Sequence, residues 1–472
     1  MASRTESIPP PDRPRFWSKR TVRTAAVAAL LGMSACSTPP RPDTDAGGAL
    51  ASDAYVAAGK ASPTMLKASE LLPADWRKGD HYEVEETVRN DGLTNTYTLN
   101  SPYGQFEVHG DDQLRYRENE VEVLAALQEY GVTQPMVFGL GVVNGAENYV
   151  EGGAQLIVYP ARAIANVPLG FWNYGSQVAE MTRSRRTFYE DSYAEELIGF
   201  SQAKREFAGR TSVDPYTTNP AMQERLNALS WPSWAGGILA TVGTIPVAGI
   251  AGLALTGASL PESMHLVNLD KAPEDLRIDN RRKLKKMGVK KPLREAFLSQ
   301  PWYSPRHQTI IVGSLSLLTE ANGRPVFIAT AMAAGSEEQA FAMQRTAELL
   351  RAFNEYASPI TGISAPEGLI VARAADGAVV VPMVADWGVW TPGTRGLIDA
   401  YDRAAASEPA AARKVLWVSG RLSPAMADAV HQRGWLVEEH IFDRHLLAYE
   451  YQEQMATKEA LMGERIFPRI GD

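Results

Sequence analysis

The longest stretch without a charged residue, 226–261, restricts most strongly what this chain can fold into. Its apolar centre, 231–260, exceeds the roughly 20 residues of a membrane-spanning helix. Pro246 divides this centre into halves of 15 and 14 residues, and Gly243 and Gly249 flank the proline. Each half would cover only about 20 Å as a helix. We therefore expect a hairpin or kinked helix that is hinged at Pro246 and buried in the protein. A membrane-inserted hairpin and a single kinked span are the alternatives.

The amino terminus has the order of a secretory signal. Basic residues precede an apolar segment, 25–32, which small residues and Cys36 follow. This order is typical of an export signal, and the apolar segment is too short for a stable membrane span. Ser34-Ala35-Cys36 resembles the lipobox of bacterial lipoproteins, although Met33 stands where leucine is commoner. The alternative is a plain secretory signal in which the cysteine has no role.

The resemblance to lipoproteins implies where the protein works. Residues 1–35 would be removed as a signal peptide, and Cys36 would be acylated and become the mature amino terminus. Membrane lipid is then the expected partner, because two or more acyl chains hold a protein stably on a membrane. Ser37 after the cysteine favours the outer membrane, facing the periplasm or the cell surface. Residues 36–75 are predicted to be a flexible tether, since the segment after Cys36 is rich in Pro, Ser, Asp, Gly and Ala.

Charge and cysteine content exclude several classes of function. The 472-residue chain has a formal net charge of -8, and residues 1–35 carry six basic and two acidic side chains, so the remainder is near -12. Nucleic-acid binding needs an excess of basic residues, so no nucleic-acid partner is expected. Cys36 is the single cysteine, which rules out disulfides within the chain and multi-cysteine metal sites. The common nucleotide-binding motifs are absent, and no cofactor is predicted.

Sequence patterns predict the α+β class, beginning with a sheet unit. Segments 82–86, 94–99 and 105–109 have strand character and are separated by turn signals, which predicts an antiparallel meander. Residues 111–130 have the apolar spacing of a helix, which would cover one face of the meander. We therefore assign residues 76–130 to a unit of meander plus helix.

Residues 131–300 are predicted to form a helical region with the Gly-rich apolar hairpin inside it. A polar helix is expected over 178–207, and a further helix leads into the apolar run. The basic stretch 277–291 follows that run. It is predicted to be a solvated helix face, with contact to anionic lipid headgroups as the alternative.

Residues 301–472 are predicted to form a mixed α/β unit. Ser304 and Pro305 have the pattern of a helix N-cap followed by proline at the first helical position. The later elements are a long helix, a hairpin with its turn at Asp376-Gly377, and a β-α-β unit that predicts a parallel strand pair. They lie at 336–356, 369–384 and 414–439.

Two polar-aromatic clusters are candidate binding sites. Arg306 and His307, at an aromatic-rich helix start, could line a pocket, although packing of that helix start in the core is the simpler explanation. Asp386, Trp387 and Trp390 follow a strand and could form a binding feature at its edge. Aromatic rings beside a carboxylate are suited to sugars or peptides.

One cluster near the carboxyl terminus could approach a metal. His440 is followed by Asp443 and His445, three and five residues later. Those spacings do not place all three side chains on one helix face, and such sites normally have further supporting residues. The sequence therefore predicts a polar helix surface rather than a metal site.

The predicted function is that of a lipid-anchored bacterial envelope protein with a non-enzymatic role in binding, scaffolding or membrane interaction. Segments NDGLTNTYTLNSPYGQFE, DPYTTNP and PWYSPRHQT resemble those of an uncharacterised family of bacterial envelope proteins, a resemblance that implies no activity. Anionic headgroups or an envelope protein are possible partners besides the anchoring lipid. Two alternatives stay open: a membrane-inserting protein that uses the 231–260 hairpin, and a periplasmic hydrolase with a site near Arg306 and His307.

Overall fold

The computed structural model confirms the α+β class. It describes residues 63–129, 187, 189–191, 200–211, 213–235, 271–407 and 413–444. Several predicted features lie outside the described residues: the signal peptide, Cys36, most of the 231–260 run with Gly243, Pro246 and Gly249, the side chain of Asp443, and His445.

The amino-terminal unit is built on an antiparallel sheet. Its strands are β1 (Thr64–Lys67), β2 (Glu83–Val84), β3 (Thr87–Asn90), β4 (Asn95–Ser101) and β5 (Gly104–His109). Strand β4 pairs with β2, β3 and β5, while β1 pairs with β3. The predicted meander is confirmed, because strand alternation and turn chemistry are local properties of the sequence.

The predicted tether, 36–75, extended too far along the chain. Strand β1 and two short helices, α1 (Ala68–Leu71) and α2 (Ala74–Arg77), occupy the end of that segment or cross it. Strand β1 pairs along the whole of β3, and Ala68 is fully buried. The prediction was wrong here because the pairing partner of β1 lies 20 to 26 positions further along the sequence, where composition gives no sign of it.

Helix α3 (Asp111–Glu129) connects the sheet to the helices that follow. Val121 packs in one core with the sheet, whereas Leu124 packs in a second core with helices α4 (Phe200–Arg210) and α5 (Pro220–Ala235). Covered on two faces, α3 is buried along most of its length. Helix α5 contains the first residues of the apolar run. No helix within the described residues is long and apolar enough to cross a membrane.

The polar segment 178–207 does not form one continuous helix. Thr187 and residues 189–191 are not helical, and α4 begins only at Phe200. The Thr187 backbone N–H and hydroxyl both donate to the Glu190 carboxylate, at 2.9 and 3.1 Å. Such local side-chain hydrogen bonds offer the backbone an alternative to the helix, which explains why the predicted helix was wrong here.

Helices α6 (Pro273–Lys286) and α7 (Lys291–Leu298) follow, and they belong with the carboxyl-terminal unit. Leu284 of α6 and Phe297 of α7 are fully buried in the same core as the later helices and strands. The predicted boundary at residue 300 therefore does not separate two hydrophobic cores.

The carboxyl-terminal unit contains a mixed five-stranded sheet. Its strands are β6 (Ile360–Ser364), β7 (Val371–Ala374), β8 (Ala378–Met383), β10 (Arg413–Val418) and β12 (Trp435–Glu438), and a separate parallel pair is made by β9 (Trp387–Gly388) and β11 (Arg421–Leu422). The order is β6-β7-β8-β10-β12. Strands β6, β7 and β8 pair antiparallel, while β8, β10 and β12 are parallel. This confirms the predicted hairpin and parallel pair; the β8–β10 pairing was not predicted.

Helices cover both faces of this sheet. On one face lie α8 (Pro305–Leu317), α9 (Arg324–Ala331) and α10 (Glu337–Tyr356), and on the other α11 (Pro392–Ala406) and α12 (Pro424–Gln432). A short helix, α13 (Ile441–Arg444), follows β12. The predicted N-cap of α8 is confirmed, since the Ser304 hydroxyl accepts the His307 N–H at 3.2 Å.

The turn between β3 and β4 joins the two units. Leu93, at the tip of this turn, is buried in the hydrophobic core between the sheet of the carboxyl-terminal unit and helices α11 and α12. Its carbonyl accepts the N–H groups of Asp386 at 2.9 Å and Trp387 at 3.2 Å, and the Gly92 carbonyl accepts that of Val389 at 2.8 Å. Gly92 has a φ of 114° and an added Cβ would lie 2.8 Å from a neighbouring methyl, so only glycine fits there.

Candidate functional site

A cleft lies where the two units meet. Its walls are the turn between β5 and α3, the first turns of α10, and the carboxyl ends of β8 and β10. Ligands commonly bind outside the carboxyl ends of parallel strands, so this is a favourable position for a binding site. The first chamber has a volume of about 140 Å³, and a second of about 40 Å³ adjoins it. Lining residues common to both are Gln113, Arg117, Thr218, Glu337 and Phe341.

Asp386, one of the residues that the sequence suggested, lines the first chamber. Strand β8 is buried throughout, and the chain leaving its carboxyl end brings Asp386 to the edge of the sheet. The carboxylate accepts the backbone N–H of Asn95 at 2.9 Å and of Asp111 at 3.1 Å. Gly110 has a φ of 93°, which lets the chain turn from β5 into α3 this close to the carboxylate.

Asp111 and Asp386 form a coupled pair of acids. Burial and the neighbouring Asp111 charge raise the pKa of Asp386 well above its ordinary value, and burial raises the pKa of Asp111. The Tyr97 hydroxyl donates to Asp111 Oδ1 at 2.6 Å, and the Asn95 side chain donates to the same oxygen at 3.1 Å. Each carboxylate opposes ionisation of the other, so the pair holds a proton more tightly than a solvated aspartate does.

Arg345 of helix α10 lies in the wall of the first chamber with its charge already balanced. Its guanidinium pairs with Asp112 at 2.6 Å and with Glu348 at 3.0 Å, and it lies 3.6 Å from the centre of the Phe442 ring. Arg117 is similarly paired with Glu120 at 2.7 Å. These arginines are therefore poorly placed to attract an anion into the cleft.

The second chamber brings together the two sequence candidates Arg306 and His307. Arg306 is buried, and its guanidinium donates to Asp214 at 2.6 Å and to the Tyr116 hydroxyl at 2.9 Å. Although burial opposes the charged form, Tyr116 and Asp214 hold the pKa of Arg306 above its ordinary value. This arginine thus ties α8 to α3 and to the segment before α5.

His307 closes the first turn of α8. Its Nδ1 accepts the backbone N–H of Ser304 at 3.4 Å, reciprocating the serine cap. Burial, with the nearby Arg306 charge, lowers the pKa of His307 to about 4. The ring lies edge-on to Tyr189 and Phe341, at centroid distances of 6.2 and 6.3 Å. His307 is therefore a neutral imidazole at physiological pH, and Ser304 Oγ serves the helix as an acceptor.

The two tryptophans that the sequence suggested lie away from the cleft. The Arg421 guanidinium covers Trp387 at 4.4 Å from the ring centre. Trp390 is approached by Arg395 at 5.5 Å and by Arg433 at 5.0 Å. Neither ring lines either chamber. Of this predicted feature, only Asp386 faces the site.

The possible metal cluster is only partly described. His440 has a φ of 56°, and its backbone N–H donates to the Gly420 carbonyl at 2.7 Å, which closes the loop after β12. The side chain of Asp443 and the whole of His445 lie outside the described residues. Across the part of the chain that the structure covers, no three His, Cys, Asp or Glu side chains are arranged to hold a metal ion.

Sequence reasoning missed most of the residues that line the cleft. Asp112, Tyr116, Asp214 and Glu337 come from three separate segments, and each looks like an ordinary surface residue in the sequence. Asp214 offers one local sign, because its Oδ1 accepts the Tyr216 N–H at 2.9 Å in a turn typical of Asp before proline. That pattern indicates a turn and does not indicate that Arg306 will meet it.

The first chamber is lined by more acidic than basic residues. Five acidic residues line it, Glu107, Asp112, Glu337, Glu338 and Asp386, against two arginines. No family model, curated protein or solved structure matches this chain.

Proposed function

We propose that this is a lipid-anchored envelope protein that binds a small positively charged group in the cleft, without chemical conversion. The observation that carries the proposal is the acidic excess of the first chamber, whose two arginines are already paired with acids of the protein. Glu338 has no cationic partner within the described residues. An ammonium or guanidinium group would supply one.

The size of the cleft supports a small ligand or one side chain of a larger one. A volume of about 140 Å³ is well below the roughly 300–1,000 Å³ of pockets that enclose whole drug-sized molecules. A side chain of lysine or arginine, or a short amine, suits that space. Binding of this kind is consistent with an envelope protein that captures a cationic ligand or a basic segment of another envelope protein.

The hydrolase alternative receives less support from the second chamber. His307 accepts a backbone N–H through Nδ1, and the nearest hydroxyl in the helix start, that of Ser304, is an acceptor for the His307 N–H. A nucleophile paired with a base would need the hydroxyl to donate to the imidazole. Arg306 is held by Asp214 and Tyr116, so its charge is not directed at a substrate.

Calorimetric titration of three four-carbon compounds tests the binding function. Putrescine, 1,4-butanediol and succinate have similar lengths but differ in charge, and we expect only putrescine to bind the mature chain carrying Cys36→Ser. Glu338→Gln removes one unpaired carboxylate from the chamber, so the affinity for putrescine should fall about fivefold, as expected for losing about 1 kcal/mol.

Glu320→Gln is the matched control. Glu320 is exposed, belongs to the same unit and does not line the cleft, so its variant should bind putrescine like the unchanged chain. Binding of succinate as tight as that of putrescine, or equal losses in Glu338→Gln and Glu320→Gln, would refute the proposal.

A further inference from the structure

The basic stretch 277–291 divides into a buried half and an exposed half. Arg277 at its start is only 1% exposed and is paired with Glu190 and, at 3.5 Å, with Glu274. Its charge is balanced inside the protein, where it ties α6 to the segment before α4. The first part of the stretch is therefore structural, and the prediction of a solvated helix face does not hold for Arg277.

The other arginines of this region are also paired with acids. Arg281 and Arg294 both contact Glu295, at 3.0 and 3.4 Å. Arg282 pairs with Asp279 at 3.1 Å on the surface of α6. Arginine charge is thus largely compensated, and any uncompensated positive potential comes from the lysines.

Four lysines lie together at the connection between α6 and α7. Lys285 and Lys286 end α6, Lys290 is the N-cap of α7, and Lys291 is its first residue. All four are exposed, and none of them forms an ion pair with any described residue. We call this group the lysine turn.

The lysine turn is held rigidly. Met287 and Val289 between the lysines are buried in the core, at 7% and 2% exposure. Gly288 has a φ of 82°, and the N–H groups of Gly288 and Val289 donate to carbonyls of the last turn of α6 at 3.1 and 3.0 Å. This is the usual glycine-based end of a helix. The backbone that carries the four lysines is therefore held by the helix end and by the core rather than forming a loose loop.

Helix stability explains only half of this arrangement. Lys285 and Lys286 at the carboxyl end of α6 interact favourably with the helix dipole. Lys290 and Lys291 lie at the amino end of α7, where a positive charge is unfavourable and acidic residues are preferred. The dipole of α7 adds to the positive potential of the lysines there, so the surface is suited to an anion.

We propose that the lysine turn docks on anionic phospholipid headgroups and so fixes how the anchored protein faces its membrane. The proposal rests on the lipid-anchored location proposed above and adds the orientation to it. The mature chain as a whole is acidic, near -12 in formal charge, so this turn is a local exception that an anionic membrane would select. A long nucleic acid would need a broader basic surface.

The proposed anchor would hold the folded protein close to the membrane surface. Residues 37–63 separate Cys36 from strand β1 and number 27. Their composition predicts a flexible tether, and a flexible chain of that length has an end-to-end distance of roughly 30 Å. Contacts that are weak alone become effective when a tether holds the surfaces at high local concentration.

Vesicle co-sedimentation of the mature chain with Cys36→Ser tests the surface without the anchor. We expect binding to phosphatidylcholine vesicles that contain phosphatidylglycerol, little binding to phosphatidylcholine alone, and loss of binding at high salt. Replacing Lys285, Lys286, Lys290 and Lys291 by glutamine should weaken binding about 100-fold or more, since each lysine near an anionic surface contributes about fivefold. Lys290→Gln with Lys291→Gln alone should give an intermediate loss of about tenfold or more.

A control set of four scattered exposed cations gives the same change in net charge: Lys67→Gln, Lys78→Gln, Arg403→Gln and Arg413→Gln. This set should bind vesicles nearly as the unchanged chain does.

The proposal is overturned by equal losses in the two sets, by equal binding to charged and uncharged vesicles, or by tighter binding to duplex DNA than to the charged vesicles. Unchanged thermal unfolding of the lysine variant excludes misfolding as the cause of a loss. Absence of acylation at Cys36 in cells would contradict the proposed lipid anchor alone. It would not affect the vesicle result, because that assay uses the chain with Cys36→Ser.

Discussion

At the scale of single residues, His307 shows how a helix cap can make stability depend on pH. Its Nδ1 can accept the Ser304 N–H only while the ring is neutral. Burial lowers the pKa of His307 to about 4, from about 6.5 in an unfolded chain. Between those values the unfolded chain binds more protons than the folded protein, so the contribution of His307 to stability is complete above about pH 6.5 and is lost as the pH falls towards 4.

The variant His307→Gln should remove this acid sensitivity. Glutamine at the third helical position is a standard partner in a capping box, so the variant keeps the hydrogen bond without a titratable ring. Urea unfolding at pH 7 should give similar stability for both chains. At pH 4 the unchanged chain should have lost up to about 3 kcal/mol more than the variant. Parallel stability profiles of the two chains from pH 7 to pH 4 would contradict the proposed titration.

Among the structural elements, the β3–β4 turn depends on the other unit for its own burial. Leu93 is 4% exposed, although the amino-terminal sheet that carries it has a separate core. Three backbone hydrogen bonds from residues 386–389 end on the carbonyls of Gly92 and Leu93. The turn between β3 and β4 thus closes a hairpin and also connects the two units.

Shortening the Leu93 side chain should lower the free energy of unfolding of the protein. Leu93→Ala removes a leucine side chain from a packed core, a change that typically costs about 2–5 kcal/mol. Urea unfolding should show a lower midpoint, and limited proteolysis should cut between the units more quickly. Leu436→Ala, at a leucine that is 51% exposed, should change stability by about 0.5 kcal/mol or less. Equal stability of the two variants would show that Leu93 does not join the units.

The elements that the sequence predicts correctly are those with local signals. The β7–β8 hairpin is marked by Asp376-Gly377, and the start of α8 by Ser304 and Pro305; both signals act over a few residues. The pairing of β1 with β3 and of β8 with β10 has no such mark, because each joins strands that are separated by other elements. The prediction of a tether over 36–75 rested on composition alone, and for that reason it wrongly included β1.

At the scale of the whole molecule, the cleft exists only because distant segments converge. Asp386 was suggested by its place after a strand, whereas the Asn95 and Asp111 N–H groups that hold its carboxylate come from the other unit, more than 270 positions away. Arg306 likewise meets Asp214 and Tyr116 across 92 and 190 positions. A single sequence offers no sign of such contacts, so it can suggest the residue types of the site but not their assembly.

Assembly of the cleft from both units also predicts that cation binding depends on pH. Asp386 and Asp111 together hold a proton that an isolated aspartate would release, because both are buried and each opposes the ionisation of the other. A cation in the first chamber favours the ionised pair, so binding should release a proton and the affinity for putrescine should rise with pH, by up to about tenfold per unit for one proton.

Calorimetry in buffers of different ionisation enthalpy measures the protons released. Asp386→Asn should bind more weakly at high pH and release none, whereas Glu320→Gln should behave like the unchanged chain. Affinity that is the same at every pH at which the protein stays folded, with no proton release, would contradict the role of this pair.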